Sequence, residues 1–172
     1  NTRDSEYLGL VGEILGGGKT SRLYERLVYR ERLADSAAAG QSPLENAALF
    51  TLSADVKQGV PVARVEAAMM EELQRFIDEG PTKAELERAR IAIRAGFVRG
   101  LERIGGFGGK ADVLASCEVY AGDPGCYRQS LEWIEAAKPV DLQRVARQWL
   151  SQGDYTLEVL PQPPFAAAAT DG

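Results

Sequence analysis

Three consecutive glycines at positions 16–18 separate two helical patterns near the start of the chain. Glycine takes left-handed backbone angles without steric cost, so such a run ends a helix. Before the glycines, residues 5–15 carry an apolar stripe at helical spacing: Tyr7, Leu8, Val11, Ile14 and Leu15. A second apolar stripe continues up to about residue 31: Leu23, Tyr24, Leu27 and Val28. The pattern predicts a helical hairpin closed by the glycine turn.

Two strands are predicted next. Residues 34–41 are small and weakly patterned, and residues 42–46 form a connecting loop. Residues 48–56 alternate, with one apolar set composed of Phe50, Leu52, Ala54 and Val56. A strand with one buried and one polar face is typical of an antiparallel sheet covered on a single side.

Helical patterns fill most of the remaining chain. Pro61 opens a helix that Gly80 stops, and Thr82 and Glu85 have the spacing of a capping box for the next helix. A run of glycines at 105–109 then breaks the pattern. Three more helices are predicted: one that ends near Tyr120, one over 126–137 and one capped by Asp141.

The segment from Tyr155 to Leu160 alternates again and is predicted to be a closing strand that returns to the early sheet. Segregated strands and helices indicate an α+β fold, an antiparallel sheet with helices packed on one face. Three strands are few for this many helices, so we expect at least one partner strand upstream of Asn1. The pattern gives one domain over residues 1–160 and a disordered tail over 161–172.

The chain contains no histidine among its 172 residues. Water activation by zinc uses imidazole or thiolate ligands, and serine and cysteine protease triads need an imidazole base. The chain is therefore not expected to hydrolyse peptides alone, and no catalytic or metal-binding residue is assigned. The net charge of −5 argues against a nucleic-acid partner, and no apolar run reaches the length of a membrane span.

The two cysteines, Cys117 and Cys126, leave two alternatives open. They are small buried thiols, or they form one disulfide across the turn at residues 122–124. A disulfide implies an oxidising compartment such as the bacterial periplasm.

The run from Gly16 to Thr20 superficially resembles a phosphate-binding loop. That motif needs a glycine at the position where this chain has Glu13, and it comes after a strand rather than a helix. A carboxylate at that point repels phosphate, so a nucleotide-binding function is the least favoured alternative.

The glycine turn belongs to a longer ordered pattern that includes Ser21-Arg22-Leu23, Leu33-Ala34-Asp35-Ser36 and the Gly80-Pro81-Thr82 turn. In this order, the pattern resembles the second, non-catalytic half of zinc metallopeptidases of the pitrilysin, insulysin and processing-peptidase family. The resemblance covers about residues 5–160. It implies that zinc belongs to a partner domain or subunit with a His-x-x-Glu-His helix, which this chain faces across a closed substrate chamber.

The resemblance also implies candidate substrate-binding residues. In this family the glycine-rich turn, here Gly16, Gly17 and Gly18, borders the chamber and handles extended peptide. The arginine and tyrosine that polarise the scissile carbonyl in many relatives are replaced by Val28 and Asp35, so that role is not carried over. Adjacent Tyr29 and Arg30 are candidates to substitute for them.

The primary hypothesis is a catalytically silent domain or subunit that completes the substrate chamber of a zinc metallopeptidase. Its expected partners are the catalytic zinc-binding half and a peptide substrate. Some relatives are core proteins of respiratory complexes, so a structural subunit is the alternative. By resemblance to bacterial relatives, the expected location is periplasmic or exported, with a cytoplasmic location as the alternative. The non-Met start favours a processed chain or fragment.

Overall fold

The fold was analysed in a computed structural model that describes residues 2–43 and 47–161. Its first elements are helix α1 (Arg3–Gly16), a π-helix (Tyr24–Arg30), and strands β1 (Ala34–Pro43) and β2 (Ala48–Val56). Five more helices complete the order: α2 (Val62–Glu79), α3 (Lys83–Leu101), α4 (Lys110–Ala121), α5 (Tyr127–Ala136) and α6 (Pro139–Leu150).

Helix α1 lies at the centre of the core and packs against β1, α3, α5 and α6. Its predicted stripe is buried, and Leu10 and Gly12, which flank the stripe on its two sides, are buried as well. A helix that is apolar on most sides is typical of a position inside a domain. Its first turn is fixed to α6, because the Asp4 carboxylate accepts hydrogen bonds from Arg144 (2.6 Å) and Trp149 (3.2 Å).

Glycines set the distance between α1 and β1. A Cβ atom at Gly16 would lie 1.8 Å from the backbone nitrogen of Ala39, and one at Gly12 would lie 3.0 Å from Cα of Gly40. The two glycines are four residues apart and therefore lie on the same face of the helix. Their missing side chains allow the helix backbone to approach the strand backbone directly.

Strands β1 and β2 form an antiparallel hairpin, and they are the only strands in the described residues. The alternating residues of β2 are half-buried and exposed in turn, so one face of the hairpin packs under helices. This arrangement confirms the predicted α+β fold. A bulge at Asp35 shifts the register near the start of β1.

The predicted closing strand is wrong. Tyr155, Leu157 and Val159 are all more than 70% exposed, and the segment pairs with no strand in the described residues. Alternation alone does not make a strand, because its backbone groups need a partner edge. The hydroxyl of Thr156 instead donates to the carboxylate of Glu66 on α2 at 2.8 Å.

Several predicted boundaries also change. The second helix is a π-helix: the amide of Glu31 donates to the carbonyl of Arg26, five residues earlier, at 2.9 Å. Strand β1 continues through Ser42 and Pro43, which were predicted to be loop. Residues 44–46 of that loop and 162–172 of the predicted tail lie outside the described residues. Helix α6 begins at Pro139, before the predicted cap.

Cys117 and Cys126 form a disulfide, so the thiol alternative is wrong. The bond connects α4 to the residue that precedes α5. Cys117 is the one buried residue of α4, whose other side chains are exposed or half-buried. Because so little apolar surface holds α4, the disulfide is its main attachment to the domain.

We expect Gly16→Ala to destabilise the domain by at least about 3 kcal/mol, because its methyl group would overlap backbone that cannot be moved by a rotamer change. Gly9→Ala is the matched control. It lies on the same helix with no atom within 4 Å of the added Cβ, and should stabilise by up to about 1 kcal/mol. Urea unfolding measures both variants. Equal stability of the two variants would contradict the close contact.

We expect the double substitution Cys117→Ser and Cys126→Ser to lower stability by about 2.5 kcal/mol, from the loop-closure entropy of a ten-residue ring. The local effect is more specific. Amide hydrogen exchange should accelerate most in α4. Amides of α1 should lose protection only by the amount that corresponds to the loss of global stability. Unchanged protection of α4 would show that packing, rather than the disulfide, holds this helix.

Candidate functional site

The glycine turn presents two of its three glycines to solvent. Gly16 is buried against β1, whereas Gly17 and Gly18 are exposed. The amide of Gly17 donates to the carbonyl of Glu13 at 2.9 Å, which ends α1. Gly18 has φ of 144°, a conformation that favours glycine, and has open space on its Cα. The exposed backbone of these two residues is accessible to another chain.

The π-helix carries the other two candidate residues. Tyr29 is 74% exposed, and Arg30 forms an exposed ion pair with Glu25. Val28 is partly buried against the core, and the exposed Asp35 lies in the bulge of β1, 4.0 Å from the Lys57 ammonium. The positions that match the family's polarising pair therefore hold a packing residue and a surface carboxylate.

Arg22 connects the start of the π-helix region to two distant helices, a contact that the sequence analysis missed. Its guanidinium binds both oxygens of Glu85 (2.7 and 2.9 Å) and the carbonyl of Gly80 (3.0 Å). It also lies over the ring of Phe76 at 5.1 Å from the centroid. Such a bidentate pair is among the stronger polar contacts in proteins.

Glu85 has two roles at once. It forms the predicted capping box of α3, accepting from the Thr82 amide at 2.7 Å, while its own amide donates to the Thr82 hydroxyl at 3.2 Å. Burial alone would raise the pKa of this carboxyl group. The hydrogen bonds from Arg22 and Thr82 outweigh burial and hold the pKa at about 2.

A second carboxylate, Glu72 on α2, is 1% exposed beneath this pair. Arg75 binds it at 2.5 Å, and the guanidinium groups of Arg22 and Arg26 each lie 3.9 Å away. Arg26 also donates to the carbonyl of Ala68 at 3.1 Å. Three positive groups surround one buried negative charge, and this network connects the first turns after the glycines to α2 and α3.

The residue types present do not fit a zinc site. The chain has no histidine, and both cysteines are in the disulfide. Across residues 2–43 and 47–161, no three His, Cys, Asp or Glu side chains are grouped closely enough to hold a metal ion. Zinc hydrolysis therefore cannot be assigned to the described side chains.

The geometry of the turn also opposes phosphate binding. Residues 16–18 lie at the C-terminal end of α1, where free carbonyl groups give a partial negative charge. The Glu13 carboxylate lies over Gly17, and a Cβ there would meet it at 2.2 Å. A phosphate here would be repelled both by the C-terminal end of α1 and by the Glu13 carboxylate.

An open groove of about 2230 Å³ lies on another side of the domain. Its walls include strand β2, parts of α2 to α5 and the exposed segment 153–158. Most of its lining is apolar, for example Phe50, Met69, Phe97 and Tyr127. None of the helices in the described ranges is long and apolar enough to cross a membrane.

The peptidase M16 inactive domain family matches residues 1–93. This match covers more than half of the chain, so the protein belongs to that family. The family assignment predicted from the glycine turn and the segments after it is confirmed.

Known relatives agree with this assignment. The zinc protease PqqE of Helicobacter pylori is 28% identical over 155 residues, which cover 90% of this chain and 34% of that protein. The chain thus spans about a third of the length of this curated relative. The inactive peptidase domain of a Bordetella parapertussis protein assigned as a zinc protease superposes with a TM-score of 0.76 at 21% identity. That match covers 95% of this chain and 88% of the other.

The periplasmic protease PqqL of Escherichia coli has the same fold, with a TM-score of 0.63 and 13% identity. The likeness covers 88% of this chain and 16% of PqqL.

We expect Glu85→Gln to destabilise the domain at neutral pH by about 1–3 kcal/mol, because it removes a charge-assisted pair. Glu87→Gln on the same helix is the control, since Glu87 forms an exposed pair with Arg90 and should change stability by less than about 0.5 kcal/mol.

The same contact predicts a pH dependence. The pKa of Glu85 is lower in the folded state than its usual 4.5, so the stabilisation is complete above pH 4.5 and is lost as pH falls towards 2. Urea midpoints measured across this range should therefore converge for the native protein and Glu85→Gln. A difference that is constant down to pH 2 would contradict the ion pair.

Proposed function

We propose that this chain is the non-catalytic half of a zinc metallopeptidase and closes a peptide-holding chamber against a histidine-bearing domain. The main support is its membership of the peptidase M16 inactive domain family, together with a composition that lacks histidine. Zinc and the hydrolytic water then belong to the partner half. PqqE, described as a zinc protease, is about three times longer than the matched region.

Within this proposal, Gly17 and Gly18 contact the backbone of an extended peptide. Both are exposed, and Gly18 has open space at the position of a side chain, whereas the Glu13 carboxylate lies over that position of Gly17. Gly16 has a different role, because its contact with β1 fixes the position of the turn. Arg22 acts in the same way from the other side by tying the following turn to α3.

Tyr29 is the best candidate to contact a peptide side chain, since its ring is largely exposed on the π-helix. Arg30 is a weaker candidate, because Glu25 already neutralises it. With Val28 and Asp35 at the matching positions, this half supplies binding surface rather than charge to the reacting carbonyl.

We also propose that the domain includes at least one strand upstream of residue 1. Strands β1 and β2 are the only strands in the described residues, which is few for the helices that pack around them, and β2 borders the apolar groove. Coverage of a third of PqqE is consistent with a longer polypeptide.

The disulfide supports a periplasmic or exported location, because such bonds persist in oxidising compartments. The periplasmic protease PqqL shares the fold. A structural subunit is the second candidate, and the observation that favours it is the absence of an arginine and a tyrosine at positions 28 and 35.

The proposal predicts that cleavage of an unstructured peptide by the His-x-x-Glu-His half depends on this half. In the assembled protein, Tyr29→Ala should raise KM about tenfold, as expected for the loss of about 1.4 kcal/mol of binding, with little change in kcat. Tyr155→Ala is the matched control, since Tyr155 is also largely exposed but lies elsewhere.

If cleavage is indifferent to the presence of this half, the proposal is wrong and the structural-subunit alternative is favoured. If cleavage needs this half but Tyr29→Ala leaves KM unchanged, only the assignment of Tyr29 is wrong.

A further inference from the structure

The hairpin formed by α3 and α4 extends beyond the core. Helix α3 has buried residues only in its first half, at Leu86 and Ala89. From position 90 to position 116, Gly109 is the one buried residue. The end of this hairpin, residues 98–110, is here called the hairpin tip.

The hairpin tip is a loop held by its own hydrogen bonds. The amide of Lys110 donates to the carbonyl of Arg103 at 2.9 Å, and the amide of Gly108 donates to Asp112 at 2.7 Å. Gly100 and Gly108 meet closely, since a Cβ on Gly100 would lie 2.6 Å from the Gly108 carbonyl oxygen. Gly106 and Gly108 have positive φ angles of 80° and 72°.

This loop holds large apolar side chains in water. Phe107 is 95% exposed and Ile104 is 79% exposed, and Val98 on the last turns of α3 is also exposed. A hydrogen-bonded loop that keeps a phenylalanine and an isoleucine out of the core presents them to something else.

The charged residues of the hairpin tip are mostly positive. Arg99, Arg103 and Lys110 are exposed, Glu102 is the one acidic residue between 98 and 110, and the Asp112 carboxylate lies beside the tip, where it accepts from the Gly108 amide. None of these three cations is in an ion pair with the residues that the structure describes. Three cations against Glu102 and Asp112 leave a local excess of positive charge on a chain whose net charge is −5.

We propose that the hairpin tip docks on an anionic lipid surface. Ile104 and Phe107 enter the boundary between headgroups and acyl chains, while Arg99, Arg103 and Lys110 lie among the lipid phosphates. A loop beyond the core that exposes two large apolar side chains together with three cations suits an anionic bilayer surface. This surface is independent of the peptide-handling role proposed for the glycine turn.

Vesicle co-sedimentation of the complete protein tests the proposal. The native protein should sediment with phosphatidylcholine vesicles that contain phosphatidylglycerol, and not with vesicles of phosphatidylcholine alone. The double variant Ile104→Ser and Phe107→Ser should lose this binding. Tyr155→Ser and Leu157→Ser, a similarly exposed apolar pair outside the tip, should bind as the native protein does.

The charges are tested separately. Each of Arg99→Gln and Lys110→Gln should weaken binding about fivefold, which corresponds to about 1 kcal/mol for one basic residue near an anionic surface. Arg64→Gln is the control, an exposed arginine on α2. Circular dichroism of each variant verifies folding, which these exposed substitutions should preserve.

Failure of the native protein to bind the anionic vesicles would overturn the proposal and favour a protein partner. Binding that survives loss of both Ile104 and Phe107 would also overturn it.

Discussion

The direct contact between the backbones of α1 and β1 is the constraint on which the rest of the fold depends. Gly16 lies where no side chain fits, and Gly12 lies one turn earlier on the same face. This contact fixes the end of the central helix against the sheet. It therefore also fixes where the exposed Gly17 and Gly18 emerge and where the next helix begins.

Arg22 connects the segment after the glycine turn to distant parts of the molecule. It joins the segment after the glycines to the capping box of α3, and Glu72 lies buried beneath it on α2. The bidentate pair links Arg22 to Glu85, residues 63 positions apart in sequence. The glycine turn is thus held from both sides: backbone packing against β1 fixes its start, and an ionic network fixes the π-helix region beyond its end.

Local sequence patterns predicted the elements whose signals are local. The stripe of α1, the capping box at Thr82 and the alternation of β2 all corresponded to the observed structure. The segment 155–160 failed because a strand depends on a partner edge, which alternation cannot supply. The π-helix was missed because its apolar residues also fit a normal helical stripe. The disulfide was one of two alternatives that the sequence left open, and the Arg22 network was missed because it pairs residues 63 positions apart in separate elements.

The candidate site residues remain a prediction. The sequence identified the glycine turn, but it could not show that Gly16 is buried while Gly17 and Gly18 are exposed. The central claim is that this half supplies shape and binding surface while hydrolysis belongs to a partner. Metal analysis combined with a peptide-cleavage assay of the purified 172-residue chain, without any partner, tests this claim most directly. The account predicts no stoichiometric zinc and no cleavage, whereas one bound zinc per chain with unaided cleavage would contradict it.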